Sequence, residues 1–294
     1  MSQELTAGCK VNLYLDIVGV RADGYHEIES LFYPLPSPCD VLTLAEGGEG
    51  FRLTCSDPSL AAGENILTRA YERFAGATGF APGLAVHLDK GIPMGAGLGG
   101  GSSDAATLLR WLNGRAGDKA LSSGELADLA LSLGADVPFF LDNVPAWVTG
   151  IGEVLEPVPA SLDDYVVLVV CPQVHVNTAW AYRRYDEMLA QGLVRPRKEL
   201  TLNFSPIKNL CFTKPPELWN SFEEVVFQEF PVLYGIKELI LDGFADACVM
   251  SGSGSSFVAL FSSSENAARC AGRLRSLGHA CFGIRSGRPV RLDS

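Results

Sequence analysis

Four histidines and eight scattered cysteines, with no C-x-x-C pair, offer no metal cluster and no disulfide framework in these 294 residues. There is no D-x-D run either, so a tightly held metal is not expected. Long hydrophobic runs are missing. The longest, Tyr165–Cys171, is far too short to cross a bilayer, and the first ten residues carry no apolar signal core. Basic residues are in the minority, 23 against 34 acidic, for a net charge of −11. That balance excludes general affinity for nucleic acid or an anionic membrane surface, while leaving room for a local basic pocket. No internal repeat or coiled-coil heptad pattern is present. No Lys-Ser or Lys-Thr pair closes a glycine-rich loop, which excludes the Walker type of nucleotide site.

What the chain does have is Pro93-Met94-Gly95-Ala96-Gly97-Leu98-Gly99-Gly100-Gly101-Ser102-Ser103-Asp104. The segment lies between an apolar strand pattern, Leu84–Ile92, and a helix pattern, Ala105–Leu112. Glycines let backbone N–H groups turn toward a ligand, and a helix start directly behind them adds unpaired donors and a positive dipole end. The chemistry is an anion cradle, and a nucleotide phosphate is its natural occupant. A flexible Gly/Ser connector fits less well, because periodic segments bracket the loop tightly. Gly95, Gly97 and Gly100 also match G-x-G-x-x-G, but no βαβ unit with a ribose-binding acid follows.

Around this loop the pattern alternates strands and helices. Strands are expected at Lys10–Val18, Tyr25–Tyr33, Asp40–Ala45, Phe51–Cys55, Trp147–Thr149, Glu153–Val158, Val166–Val170, Ala247–Met250, Phe257–Phe261 and Ala280–Arg285. Arg21–Gly24 reads as the turn of a hairpin. Helices are expected over Asn65–Phe74, after the Ser122/Glu125 capping box, after Asn177, on both sides of Pro231 and over Ala267–Leu277. Val194–Pro216 reads as an irregular excursion. At 47% hydrophobic residues the chain can bury a large core, and the interleaving points to an α+β or mixed architecture with a boundary near Asp163.

Three segments, in order, carry a resemblance: Lys10-Val11-Asn12-Leu13, the Pro93–Asp104 loop and Ser251-Gly252-Ser253-Gly254-Ser255-Ser256. They look like the three motifs of the GHMP kinases, which phosphorylate small metabolites with ATP. Arg21-Ala22-Asp23-Gly24-Tyr25-His26 and Gly134-Ala135-Asp136-Val137-Pro138-Phe139 narrow it to the branch whose substrate carries a cytidine diphosphate group. The resemblance covers most of residues 1–180 and resumes at Val249–Val258. Ala96 stands where a glycine is common.

The resemblance implies a two-domain fold. Residues 1–163 would be an ATP-binding domain with a left-handed βαβ crossover, residues 164–294 a ferredoxin-like domain, and the substrate cleft would lie between them. It implies Asp136 as general base, where the residues alone suggest an N-cap for Val137–Leu141. Lys10, which its own strand pattern would leave as a surface lysine, is implied to stand beside Asp136 and stabilise transferred charge. Tyr25, His26 and Asn12 are implied to bind substrate, with Tyr182 as a second stacking ring or a plain core aromatic. Pro93 to Ser103 would hold the ATP phosphates, and Asn65, otherwise a helix cap, would lie near adenine. Magnesium would arrive with ATP, with Ser102 or Ser103 as an added ligand. The expected protein is a monomer or weak homodimer, cytoplasmic in a bacterium or in a plastid after transit-peptide removal. The rival readings are a mevalonate- or homoserine-type kinase of the same family and a non-catalytic nucleotide-binding module.

Overall fold

The computed structural model describes residues 2–61, 65–194 and 218–292. Most of the segment expected to be irregular, together with Cys211, therefore lies outside the described residues. In chain order come β1 (Ser2–Val20), β2 (His26–Glu46), β3 (Phe51–Cys55), α1 (Pro58–Ala61), α2 (Ile66–Thr78) and β4 (Leu84–Asp89). Next are α3 (Gly100–Arg115), α4 (Ser123–Leu133), α5 (Phe139–Asp142), β5 (Ala146–Thr149), β6 (Val154–Pro157), β7 (Val166–Cys171) and α6 (Thr178–Ala190). The chain ends with β8 (Trp219–Asn220), α7 (Phe222–Glu229), α8 (Pro231–Asp242), β9 (Ala247–Met250), β10 (Phe257–Phe261), α9 (Ser264–Ser276), β11 (Ala280–Arg285) and β12 (Arg288–Val290). The chain divides into two compact units. One comprises Met1–Cys9, Pro38–Pro93 and Gly99–Val144, the other Lys10–Ser37, Met94–Leu98 and Pro145–Ser294.

In the first unit, Val41–Glu46 of β2 pairs antiparallel with β4, and β3 pairs parallel with β4. Helix α2 begins where the Asn65 side chain accepts the N–H of Leu67 at 2.9 Å. It buries Leu67, Ala70, Tyr71 and Phe74, the i, i+3, i+4, i+7 spacing of one helix face. Burying a side chain such as Phe74 contributes roughly 1.5–3 kcal/mol. Helix α4 opens with the expected capping box, Ser122 and Glu125 each satisfying the other's backbone N–H. Helix α3 starts earlier than expected, at Gly100, inside the glycine run. A helix start needs no side-chain preference when the next turns bury Ala105, Ala106, Leu108, Leu109 and Leu112.

The second unit holds a five-stranded antiparallel sheet in the order β12-β11-β7-β10-β9. All six residues of β7 are buried, which explains its unbroken apolar run. Helices α6 to α9 bring Tyr185, Phe222, Val226, Ile236, Ile240 and Leu274 into one core with this sheet. The expected hairpin turn forms, with Gly24 N–H donating to Arg21 O at 3.0 Å. Tyr25 itself belongs to the turn. The expected strands at Tyr25–Tyr33 and Asp40–Ala45 are one continuous strand, β2. Pro34, Pro36 and Pro38 do not interrupt it, because proline ends a strand only where its missing N–H is needed by a neighbour.

Candidate active site

The glycine-rich loop is built from both units, and each part is anchored within its own. Met94–Leu98 belongs to the second unit. There Ser256 N–H donates to Ala96 O at 3.3 Å, Ser251 Oγ to Gly97 O at 3.0 Å, and Lys10 N–H to Leu98 O at 2.9 Å. Three consecutive carbonyls are thereby taken by protein donors. Gly97 has φ +75°, and a Cβ there would lie 2.3 Å from Ser251 O, so both conformation and space demand glycine. The loop also packs on His175, whose ring would lie 2.5 Å from a Cβ on Gly95.

From Gly99 onward the chain belongs to the first unit. Gly99, at φ +72°, is the N-cap of α3, with no side-chain cap bond and no acidic residue in the first turn. Ser103 N–H donates to Gly99 O at 2.9 Å, while the earlier N–H groups precede the helical ladder. An uncapped, uncharged helix start behind a glycine turn has the donors and the dipole to hold a phosphate.

Lys10 is 4% exposed, which corrects the surface-facing expectation. Its Nζ donates to Asn12 Oδ1 at 2.8 Å and lies 4.2 Å from the centroid of the Phe32 ring. Asn12 is the hub of this region: its Nδ2 donates to Ser30 Oγ at 2.9 Å and its backbone N–H to Ser251 Oγ at 3.2 Å. Lys10, Asn12, Gly97 and Ser251 therefore form one buried network within the second unit. Ser251 belongs to the third sequence motif but stands outside the site residues expected from the sequence.

The aromatic residues fall into a separate cluster of the same unit. His26 stacks on Tyr182 with ring centroids 4.4 Å apart, and its Nε2 lies 2.7 Å from Asp186 Oδ1. Tyr182 also meets Phe222 edge-on at 4.8 Å, so it is both a wall of the core and the floor under His26. Asp186 follows Tyr182 by one helical turn on α6, so a single helix face supplies both the ring and the carboxylate. Tyr25 is 60% exposed.

In the first unit Asp136 is half-buried in the turn after α4. It does not cap the next helix: α5 starts at Phe139 with Pro138 as its N-cap residue. The Asn65 side chain is committed to capping, with Oδ1 toward Leu67 N–H and Nδ2 toward Leu60 O at 3.3 Å.

A charged group unnoticed in the sequence lies at the ends of the loop. Asp40 and Asp104 are buried, and Lys90 Nζ bonds both, reaching Asp104 Oδ2 at 3.1 Å. Burial pushes the Asp104 carboxyl up to about 7, against the opposing pull of Lys90 and with a further push from Asp40. Its Oδ1 has no hydrogen-bond partner. One signal was available. Asp40 shares its strand face with Leu42 and Leu44, which are both buried, and a carboxylate in that alternation calls for a buried cation.

The GHMP kinases N terminal domain model matches residues 65–149, and the GHMP kinases C terminal model matches residues 207–280. The chain belongs to the GHMP kinase family. Within that family it is 47% identical, over 95% of both chains, to the 4-diphosphocytidyl-2-C-methyl-D-erythritol kinase of Solidesulfovibrio magneticus. It is 45% identical to the enzyme of that name from Nitratidesulfovibrio vulgaris strain Hildenborough, over 93% of this chain and 95% of the relative. A crystal structure of 4-(cytidine 5'-diphospho)-2C-methyl-D-erythritol kinase superposes with a TM-score of 0.77 at 34% identity, covering 96% of this chain and 98% of that one. The homoserine kinase of Cytophaga hutchinsonii shares the fold, with a TM-score of 0.66 at 18% identity, over 96% of this chain and 93% of that one.

Proposed function

We propose that the chain transfers the γ-phosphoryl group of ATP to the 2-hydroxyl of 4-diphosphocytidyl-2-C-methyl-D-erythritol, a step in making isoprenoid precursors without mevalonate. The observation that carries this reading is the near-full-length likeness to kinases of that name at 45–47% identity. The uncapped start of α3 behind the glycine turn agrees with it.

Asp136 accepts the proton of the attacking hydroxyl as the oxygen bonds the γ-phosphorus and the bond to the β-phosphate oxygen breaks. Lys10 supplies positive charge to the oxygens of the transferred group. The loop from Pro93 to Ser103 holds the remaining phosphates through backbone N–H groups. Magnesium neutralises phosphate charge when it arrives with ATP. Among the described residues there is no cluster of three His, Cys, Asp or Glu to hold it independently, and Ser102, half-buried in the first turn of α3, is a fitting added ligand. Asn65 serves the adenine end through the helix it caps.

Base recognition falls to the second unit. In the tautomer that donates Nε2–H to the Asp186 carboxylate, Nδ1 of His26 is an acceptor. An acceptor there suits the exocyclic amine of cytosine and opposes the carbonyl of uracil. Tyr25 supplies a ring to stack, Tyr182 supports His26 from behind, and Asn12 fixes the strand that carries both Lys10 and the substrate side. Residues 1–163 form the nucleotide domain of the enzyme and 164–294 complete it, although the compact units cross that boundary, with Lys10–Ser37 in the second. It works in the bacterial cytoplasm as a monomer or weak homodimer; no helix among the described residues is long and apolar enough to cross a membrane.

The test is a panel of acceptors with ATP and magnesium, scored by product mass and ADP release. The cytidine diphospho-alcohol is expected to be phosphorylated. Preference for mevalonate or homoserine would overturn the substrate assignment and leave the family intact.

A further inference from the structure

We propose that Asp40, Lys90 and Asp104 form a buried strut that fixes the two ends of the glycine-rich loop, making them positioning residues for ATP. The proposal rests on the reading of that loop as the phosphate cradle.

The geometry joins the chain before the loop to the chain after it. Asp40 Oδ1 accepts the N–H groups of Gly91 and Ile92, each at 2.8 Å, immediately before Pro93. Asp40 Oδ2 accepts from Lys90 Nζ. The same ammonium donates to Asp104 Oδ2, in the second turn of α3, just after the loop. A Cβ on Gly100 would sit 3.3 Å from Asp40 Oδ2 and 3.1 Å from Ile92 Cγ2, so the strut also packs against the first residue of the helix. All these residues lie in the first unit. Residues 90 and 104 are thus tied by side chains at the two ends of the loop.

Fold stability alone is a weak reason for such a group. Well-packed apolar residues in place of a buried ion pair are often neutral or stabilising, whereas charges with hydrogen bonds specify one geometry. Two carboxylates against one ammonium, with Asp104 Oδ1 unpartnered, is an expensive way to fill space. It gains a purpose if the spacing of the loop ends decides how the N–H groups of Gly99 to Ser102 meet phosphate, since sub-ångström placement of such donors controls affinity.

The experiment compares Lys90→Met and the isosteric Asp104→Asn with wild type. Calorimetric titration with a non-hydrolysable ATP analogue gives nucleotide affinity, and steady-state kinetics gives separate KM values for ATP and the cytidine diphospho-alcohol. In each folded variant the analogue's Kd and the ATP KM are expected to rise about tenfold. The KM for the alcohol should change less than about twofold. Should Lys90→Met fail to fold, Asp104→Asn decides alone, because it keeps volume and one acceptor. Unchanged nucleotide affinity in a folded, destabilised variant would overturn the proposal and leave a purely structural strut. If wild type binds the analogue but does not phosphorylate the alcohol, the substrate reading fails, and the titration still decides the strut.

Discussion

The glycine-rich loop and the Tyr25–His26 segment are both short and turn-borne, but they are built in opposite ways. The loop presents its backbone. Its side chains are mostly absent, its carbonyls at Ala96, Gly97 and Leu98 are tied to protein donors, and its ends are fixed by buried charge. The Tyr25–His26 segment presents rings and a carboxylate, with Tyr25 standing in solvent and His26 held between Tyr182 and Asp186. Every kinase of a family must hold the same phosphates, and backbone geometry can be kept for that purpose. Each kinase must recognise its own alcohol, and exchangeable side chains serve that need. On this account, effects on ATP and on the acceptor are separable.

The largest effect lies in neither region. Asp136→Asn should lower turnover by roughly two to four orders of magnitude while both KM values stay near wild type. Steady-state kinetics checks this, and near-normal turnover would remove Asp136 from the chemistry. Lys10→Met should lower turnover as well, and the double variant should fall far short of additivity.

Within the comparison, Tyr25→Ala and His26→Ala should each weaken the alcohol by about one to two decades, the worth of roughly 1–3 kcal/mol of stacking. ATP affinity should not move. Gly101→Val is the converse case. A Cβ there meets only Ile66 Cγ2 at 3.9 Å, so the fold has room for it and the melting temperature should hold. ATP affinity should still drop, on the order of tenfold, because the added methyls stand where phosphate approaches. A loss on the wrong substrate in either set would break the comparison.

A further effect is on stability. The Asp104 carboxyl is raised in the folded protein, so the native state binds more protons than the unfolded chain between about pH 4 and 7. Stability contributed by that proton is present at the acid end and is lost as pH rises through the window. The loss is at most about 1.4 kcal/mol per pH unit. Denaturant unfolding across this range should show the slope in wild type and a flatter profile in Asp104→Asn, with Asp40 and Lys90 left in place.

Much of this was legible in the sequence because it is local. The Ser122/Glu125 capping box, the Asn65 and Asn177 caps and the paired helices about Pro231 all formed where spacing placed them. Boundaries were less legible. Strand β2 runs through three prolines because its pairing partners change along its length, with β5 at Ser30–Phe32 and β4 at Val41–Glu46. The start of α3 inside the glycine run depends on tertiary burial and not on propensity. Long-range polar contacts were the least legible. Ser251 meets Asn12 across 239 positions, and Asp40 meets Lys90 across 50, and no local periodicity reports such pairs.

The most direct test is a competition. Wild-type protein, ATP and magnesium are mixed with equal amounts of the cytidine and uridine diphospho-alcohols, mevalonate and homoserine, and the products are resolved by mass. The account predicts that the cytidine compound is phosphorylated ahead of all others. It further predicts that His26→Ala narrows the gap to the uridine compound without changing the ATP KM. Equal use of the two bases by wild type, or a faster reaction with mevalonate or homoserine, would contradict it.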